Sequence, residues 1–250
     1  MKRGVFVHAF IFIMMMTCMS CVKNESTTVD LESDKQYYPL SVGKYRDYVV
    51  DSILYRQGRF LDSVHTLIHE EILDKYRDTI GDVFTISRSI RKKAVDPWLR
   101  TATYTVRLHQ NKIIYNVANL NFIPLTFPIR VPLQWDGLAM INTDQSFDVN
   151  GENMAIYQNW DIFKIKEAPK TEKIGSSNFN SVVTIIQTDV EDIVSRRYAV
   201  EKYAKGIGLV FKEMMVLDCN NTVNPCATNV PWDKRATKGF VLRQTITQFN

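Results

Sequence analysis

Polar and apolar residues alternate strictly along residues 101–109, which gives the chain its clearest local pattern. Tyr104, Val106 and Leu108 fall on one side of this alternation, and polar residues fall on the other. A period of two is typical of a half-buried β-strand. Similar runs cover residues 181–188, 195–204, 209–217 and 240–249. Several such runs separated by turn residues predict an antiparallel β domain.

Glycines and prolines refine this pattern at two places. Between two of the runs lies Lys205-Gly206-Ile207-Gly208, whose glycines adopt positive φ at no steric cost and so predict a hairpin turn. Residues 121–135 contain three prolines, at positions 124, 128 and 132. Each proline removes a backbone donor, so this stretch is predicted to run along a sheet edge or as an extended arm.

Residues 60–76 follow a different period. Their apolar positions recur at helical better than at strand spacing, and periodicity alone predicts a helix. These positions are Phe60, Leu61, Val64, Leu67, Ile68, Ile72 and Tyr76.

The same stretch holds the sequence's best candidate for metal chemistry. His65 and His69 form a His-x-x-x-His pair. On a helix the two imidazoles stand about 5–6 Å apart and can share a zinc ion. On a strand they stand roughly 13 Å apart and cannot. Thr66 also occupies the position where the zinc-protease motif has glutamate. We therefore expect no metal, no cofactor and no catalytic residue. A metal-dependent hydrolase using His65 and His69 is the alternative.

The first 21 residues have the form of a lipoprotein export signal. Lys2 and Arg3 precede a run without Asp, Glu, Lys or Arg, and small Ser20 precedes Cys21. We expect cleavage before Cys21 and acylation of Cys21, which anchors the protein to the outer membrane through several acyl chains. Cys18 is a poorer acceptor because Thr17 precedes it. An uncleaved span over residues 4–22 is the other alternative.

Composition fits an exported globular domain. Residues 1–20 are expected to be signal, polar residues 21–36 a flexible tether, and residues 37–250 one β domain. Without Lys2 and Arg3, 29 basic side chains face 27 acidic ones, a balance that argues against nucleic-acid binding. The basic cluster at residues 88–93 is interpreted as a solvated turn. The four tryptophans, at positions 98, 135, 160 and 232, are interpreted as core residues rather than a ligand platform.

Two cysteines remain once Cys18 and Cys21 are assigned to export. Cys219 and Cys226 are close in sequence, and an oxidising compartment favours their pairing. A metal site is the weaker interpretation, because the spacing is not Cys-x-x-Cys and no histidine lies nearby.

Three stretches resemble a family of uncharacterised lipoproteins of Bacteroidota. They are residues 37–45 (YYPLSVGKY), residues 125–129 with Trp135-Asp136-Gly137 and Asn142-Thr143, and residues 203–213 (YAKGIGLVFKE). The resemblance implies a mainly β fold, a single antiparallel curved sheet or half-barrel distantly similar to TapB-like and lipoprotein-carrier proteins. It also implies strands, not a helix, at residues 60–76, and we follow it there. It implies no catalytic residues.

These observations together predict an outer-membrane lipoprotein that acts through binding or envelope assembly and is not an enzyme. The expected partners are the membrane, through the N-terminal lipid, and a hydrophobic ligand or an envelope protein.

Overall fold

The computed structural model describes residues 30–56, 59–149, 151–219 and 226–250, and these are almost entirely β. The strands are β1 (Tyr45–Arg56), β2 (Arg59–Arg77), β3 (Asp82–Arg91), β4 (Leu99–His109), β5 (Lys112–Val117), β6 (Leu120–Thr126), β7 (Gln134–Trp135), β8 (Phe147–Val149), β9 (Glu152–Met154), β10 (Phe163–Ile165), β11 (Lys170–Ile174), β12 (Ser177–Glu191), β13 (Ser195–Ala204), β14 (Gly208–Asp218) and β15 (Lys238–Phe249). Two short helices, α1 (Leu31–Lys35) and α2 (Trp232–Arg235), accompany them. No helix in the described ranges is long and apolar enough to cross a bilayer.

One antiparallel sheet contains every strand except β8 and β9, which form a separate hairpin. Its order is β6-β5-β4-β3-β2-β1-β15-β14-β13-β12-β10-β7, with β11 paired to β12. The two ends of this order meet. The Trp135 indole Nε1 donates to the Ile123 carbonyl at 2.7 Å, and the Ile123 amide donates to the Gly137 carbonyl at 2.9 Å. The sheet is therefore strongly curved and nearly closed, which confirms the predicted fold class.

Alternation located the main strands correctly. In β4, Tyr104 and Val106 are buried, as the period of two requires. The runs at residues 181–188, 195–204, 209–217 and 240–249 lie within β12, β13, β14 and β15. Gly206 and Gly208 form the turn between β13 and β14 at φ values of 82° and 100°. Pro124 lies in β6, the strand at one end of the order, as expected for an edge.

The helix that periodicity predicts over residues 60–76 is wrong, and the strand implied by the resemblance is confirmed. β2 pairs with β1 on one side and with β3 on the other, so long-range hydrogen bonding overrides the local pattern. Val64 and Tyr76, which belong to the supposed apolar helical face, are exposed at 39% and 47%. Glu70, which lies off that face, is buried.

The chain ahead of β1 packs on the sheet. Asp30 caps α1 by accepting from the Ser33 amide at 3.0 Å. Asp34 Oδ2 accepts from the Ile129 amide at 2.8 Å, and the Gln36 carbonyl accepts from the Gly206 amide at 2.8 Å. The last residues of the predicted tether thus bind two separate parts of the domain. The boundary at residue 36 stays a prediction.

The structure joins Cys219 and Cys226 in a disulfide, the pairing expected from the sequence. Residues 220–225 between them lie outside the described ranges.

Replacing both cysteines with alanine should lower the free energy of unfolding by about 2.5 kcal/mol, because closing so short a loop restricts the unfolded chain. Urea unfolding measures this loss. Wild type treated with reductant is the control and should match the double variant; a wild type indifferent to reductant would contradict the prediction.

Candidate functional site

A cavity of about 440 Å³ lies on the concave side of the sheet. Its lining comes from strands in both halves of the strand order, and aromatic side chains predominate in it. The aromatic lining residues are Tyr38, Tyr48, Tyr104, Tyr115, Phe122, Phe147, Tyr157, Trp160, Phe163, Tyr203 and Phe240. The polar ones are Arg46, Glu70, Arg88, Gln187, Glu201, Lys212 and Gln244. The cavity is thus mostly apolar, with charged groups at fixed points.

Glu70 and Arg88 form an ion pair in the wall. They are direct cross-strand partners on β2 and β3, and the alternation of both strands turns them toward the cavity. Glu70 Oε1 accepts from Arg88 Nη2 at 2.6 Å and from Nε at 2.9 Å. Burial alone would raise the pKa of Glu70, but Arg88 and Arg46 outweigh burial and hold that pKa below its ordinary value. Glu70 is therefore a fixed negative charge.

Arg46 on β1 is the second guanidinium near Glu70, and it is only 6% exposed. Its Nη1 donates to the Ile207 carbonyl at 3.3 Å, and its Cζ lies 5.9 Å from the centre of the Tyr38 ring. Among the described residues no carboxylate is hydrogen-bonded to Arg46, and Glu70 acts on it only from a longer distance. Gly208 leaves room for it, because a Cβ at Gly208 would lie 2.3 Å from Arg46 Nη1.

A second ion pair joins β13 and β14. Lys212 Nζ donates to Glu201 Oε1 at 2.9 Å, and the Tyr203 hydroxyl donates to Glu201 Oε2 at 2.5 Å. Burial works to lower the pKa of Lys212, but Glu201 outweighs it and raises that pKa. Lys212 is therefore a fixed positive charge opposite the Glu201 carboxylate.

One side of the cavity is closed by residues outside the main sheet. We call Phe147, Tyr157 and Trp160 the aromatic wall; they belong to the β8–β9 hairpin and the segment after it. The Tyr157 ring lies 5.7 Å from Phe147, 5.2 Å from Trp160 and 5.4 Å from Phe122 on β6, measured between ring centres. Edge-to-face packing of this kind fixes the wall against the sheet.

The predicted histidine pair lies elsewhere. His65 and His69 occupy β2, and their Nδ1 atoms contact Asp51 Oδ1 at 2.8 Å and Asp47 Oδ1 at 2.6 Å on β1. Neither histidine lines the cavity. Within the ranges that the structure covers, no three potential metal ligands cluster.

Cys21 lies outside the described residues, so its acylation remains a prediction.

Sequence reasoning missed the polar residues of the cavity. The interpretation of Arg88 as part of a solvated turn is wrong, because β3 carries Arg88 into the wall beside Glu70. The available signal was a charge at an inward position between aliphatic residues, as in Ile68-x-Glu70-x-Ile72. The core interpretation of the tryptophans holds only in part: all four are partly exposed, Trp98 joins no core cluster among the described residues, and Trp160 lines the cavity.

Comparisons with known proteins give little beyond this geometry. No family model matches the chain. No curated protein matches it either. A structure from Bacteroides fragilis NCTC 9343, described as a predicted exported protein with a YmcC-like fold, is 12% identical, with 85% of this chain and 97% of that one covered and a TM-score of 0.37. A structure from Parabacteroides distasonis ATCC 8503, described as a predicted lipoprotein, is also 12% identical, with 86% and 98% covered and a TM-score of 0.39. Both likenesses are too distant to assign this chain to a family or an activity.

Proposed function

We propose that this protein is a lipid-anchored, outer-membrane binding protein that holds a small, mainly apolar molecule in its cavity and catalyses no reaction. The observation that carries the proposal is the cavity itself. Its volume of about 440 Å³ falls within the roughly 300–1,000 Å³ of small-molecule sites. Such sites are lined mainly by apolar and aromatic side chains with a few placed polar groups, as this one is.

A purely structural role fits this interior poorly. Protein cores pack as densely as organic crystals and keep few voids larger than a water molecule. A scaffold would gain stability by filling such a space with its own side chains, because closer packing adds apolar contacts. The open cavity therefore favours a binding protein over an assembly module.

The ionic groups also support binding over catalysis. Glu70 is bound by Arg88, and Glu201 is bound by Lys212 and Tyr203, so neither carboxylate is free to accept a proton from a ligand. A carboxylate with a lowered pKa, such as Glu70, is a weak general base. Burial raises the pKa of Tyr115 to about 12, which makes it a weak acid at neutral pH. The hydrolase alternative has no support here, because His65 and His69 lie outside the cavity.

Titration with a neutral fluorescent apolar probe, N-phenyl-1-naphthylamine, tests the proposal. Wild type should bind one probe molecule saturably, with enhanced fluorescence. Leu242→Trp places an indole in the cavity and should weaken binding at least tenfold. Arg243→Trp, at the next, exposed position of β15, is the matched control and should bind normally. Absence of saturable binding to wild type, or equal binding by both variants, would refute the proposal.

The membrane attachment is tested separately by lipid labelling in cells. Cys21→Ala should abolish incorporation of labelled palmitate and block signal cleavage, because the acceptor thiol is removed. Cys18→Ala should leave both unchanged. Labelling that survives in Cys21→Ala and disappears in Cys18→Ala would move the anchor to Cys18.

A further inference from the structure

We propose that the ligand of the cavity is an apolar molecule that carries a carboxylate, and that Arg46 binds this carboxylate. The inference rests on the proposed binding function and adds the chemical class of the ligand. It comes from three features of the described residues: the balance of charge in the cavity, the unused donors of Arg46, and the way the fold holds Arg46 in place.

The charges that line the cavity do not cancel. Arg46, Arg88 and Lys212 are cationic, whereas Glu70 and Glu201 are the anionic lining residues. Each carboxylate is hydrogen-bonded to one cation, Glu70 to Arg88 and Glu201 to Lys212. The lining therefore has one surplus positive charge, and Arg46 is the cation in it without a hydrogen-bonded carboxylate. A ligand with a single negative charge would make the occupied cavity neutral.

Arg46 also has hydrogen-bonding capacity that the fold does not use. A guanidinium presents five N–H donors, and the bond to the Ile207 carbonyl at 3.3 Å engages one of its nitrogens. The Tyr38 ring beside it is a neutral phenol, because burial raises the pKa of Tyr38. A buried charge without a hydrogen-bonded counter-ion is unfavourable. The guanidinium fork matches a carboxylate in a bidentate arrangement. A carboxylate would therefore supply both the missing counter-ion and acceptors for the unused N–H donors.

The surroundings hold Arg46 in position rather than letting it move into solvent. Tyr38 packs against the guanidinium on one side, and Gly208 allows the β13–β14 turn to approach it closely on another. The Tyr48 hydroxyl, two residues along β1, donates to the Leu209 carbonyl at 3.0 Å and keeps that turn in place. Preorganisation of this kind reduces the entropic cost of binding.

Three ten-carbon probes that differ only in the head group test the inference by isothermal titration calorimetry. Wild type should bind decanoate at least tenfold tighter than decan-1-ol, and decylammonium most weakly. Arg46→Gln should reduce decanoate affinity at least tenfold and leave the affinity for decan-1-ol within twofold. Arg46→Lys keeps the charge but loses the fork, so its affinity for decanoate should lie between the other two.

The outcomes separate this inference from the proposal on which it rests. If wild type binds decanoate and decan-1-ol equally, or Arg46→Gln binds decanoate as tightly as wild type, the carboxylate assignment is wrong and the apolar binding function stands. If none of the three probes and no neutral fluorescent probe binds, the binding function itself is wrong. Should Arg46→Gln lose its circular dichroism spectrum, the ranking of probes on wild type and on Arg46→Lys decides.

Discussion

Replacing Glu70 with alanine should lower the free energy of unfolding by about 3–5 kcal/mol, the loss typical of removing one partner from a buried ion pair. Glu70 is 5% exposed and accepts two hydrogen bonds from Arg88. Its removal leaves Arg88 without its hydrogen-bonded carboxylate and takes away the negative charge that also acts on Arg46. Urea unfolding followed by circular dichroism gives the free energy.

The chain offers a matched control for Glu70→Ala. Glu213 and Arg243 are also direct cross-strand partners, and their N···O distance is 2.6 Å, equal to that of Glu70 and Arg88. The difference is exposure, because the Arg243 side chain is 59% exposed. Glu213→Ala should therefore cost less than about 1 kcal/mol, as exposed pairs do. Similar losses in the two variants would mean that burial does not set the strength of the Glu70 pair.

The same carboxylate should affect stability in acid. Its pKa is lower in the folded than in the unfolded chain, so the folded state binds its proton less readily. This contribution to stability is complete above the ordinary glutamate pKa of about 4.5 and is lost as the pH falls through the folded value. Unfolding free energies measured between pH 3 and 7 should therefore fall less steeply below about pH 4.5 in Glu70→Gln than in wild type. Identical slopes would contradict the lowered pKa.

Replacing Gly208 with alanine should destabilise the fold and disturb the cavity together. A non-glycine residue at its φ of 100° is strained by about 1–2 kcal/mol. The new Cβ would also lie 2.3 Å from Arg46 Nη1, and such overpacking adds about 1–3 kcal/mol. Arg46 must leave its present position, so the affinity for decanoate should fall at least fivefold. Urea unfolding and calorimetry measure the two effects.

Gly206→Ala, in the same turn, is the control that distinguishes backbone strain from the contact with Arg46. Its φ of 82° is also positive, but a Cβ there would meet no atom within 4 Å. Gly206→Ala should therefore show only the conformational cost of about 1–2 kcal/mol and bind decanoate normally. If Gly206→Ala weakened decanoate binding as much as Gly208→Ala does, the turn conformation and not the position of Arg46 would explain the effect.

The sequence predicts the strands better than the site, for a physical reason. Alternation along β4 is local and survives in the sequence, because this strand has one buried face. β2 breaks this rule: Val64 and Tyr76 are apolar yet exposed, while Glu70 is charged yet buried. The meaning of Glu70 depends on Arg88, 18 residues away, and that partnership exists only once the register of β2 and β3 is set. Cross-strand partners of this kind leave no local signal.

The attachment of α1 to the sheet would determine how the domain stands on a bilayer. If acylated Cys21 lies in the membrane, the nine residues from there to Asp30 extend at most about 30 Å. The Gln36 carbonyl accepts a hydrogen bond from the Gly206 amide at the β13–β14 turn. The end of the sheet that contains this turn would therefore be the end nearer to the lipid headgroups. The opposite end of β13 lies beside Cys219, whose amide donates to the Val194 carbonyl at 2.8 Å. The disulfide would then face away from the membrane, on the side where a soluble partner could approach.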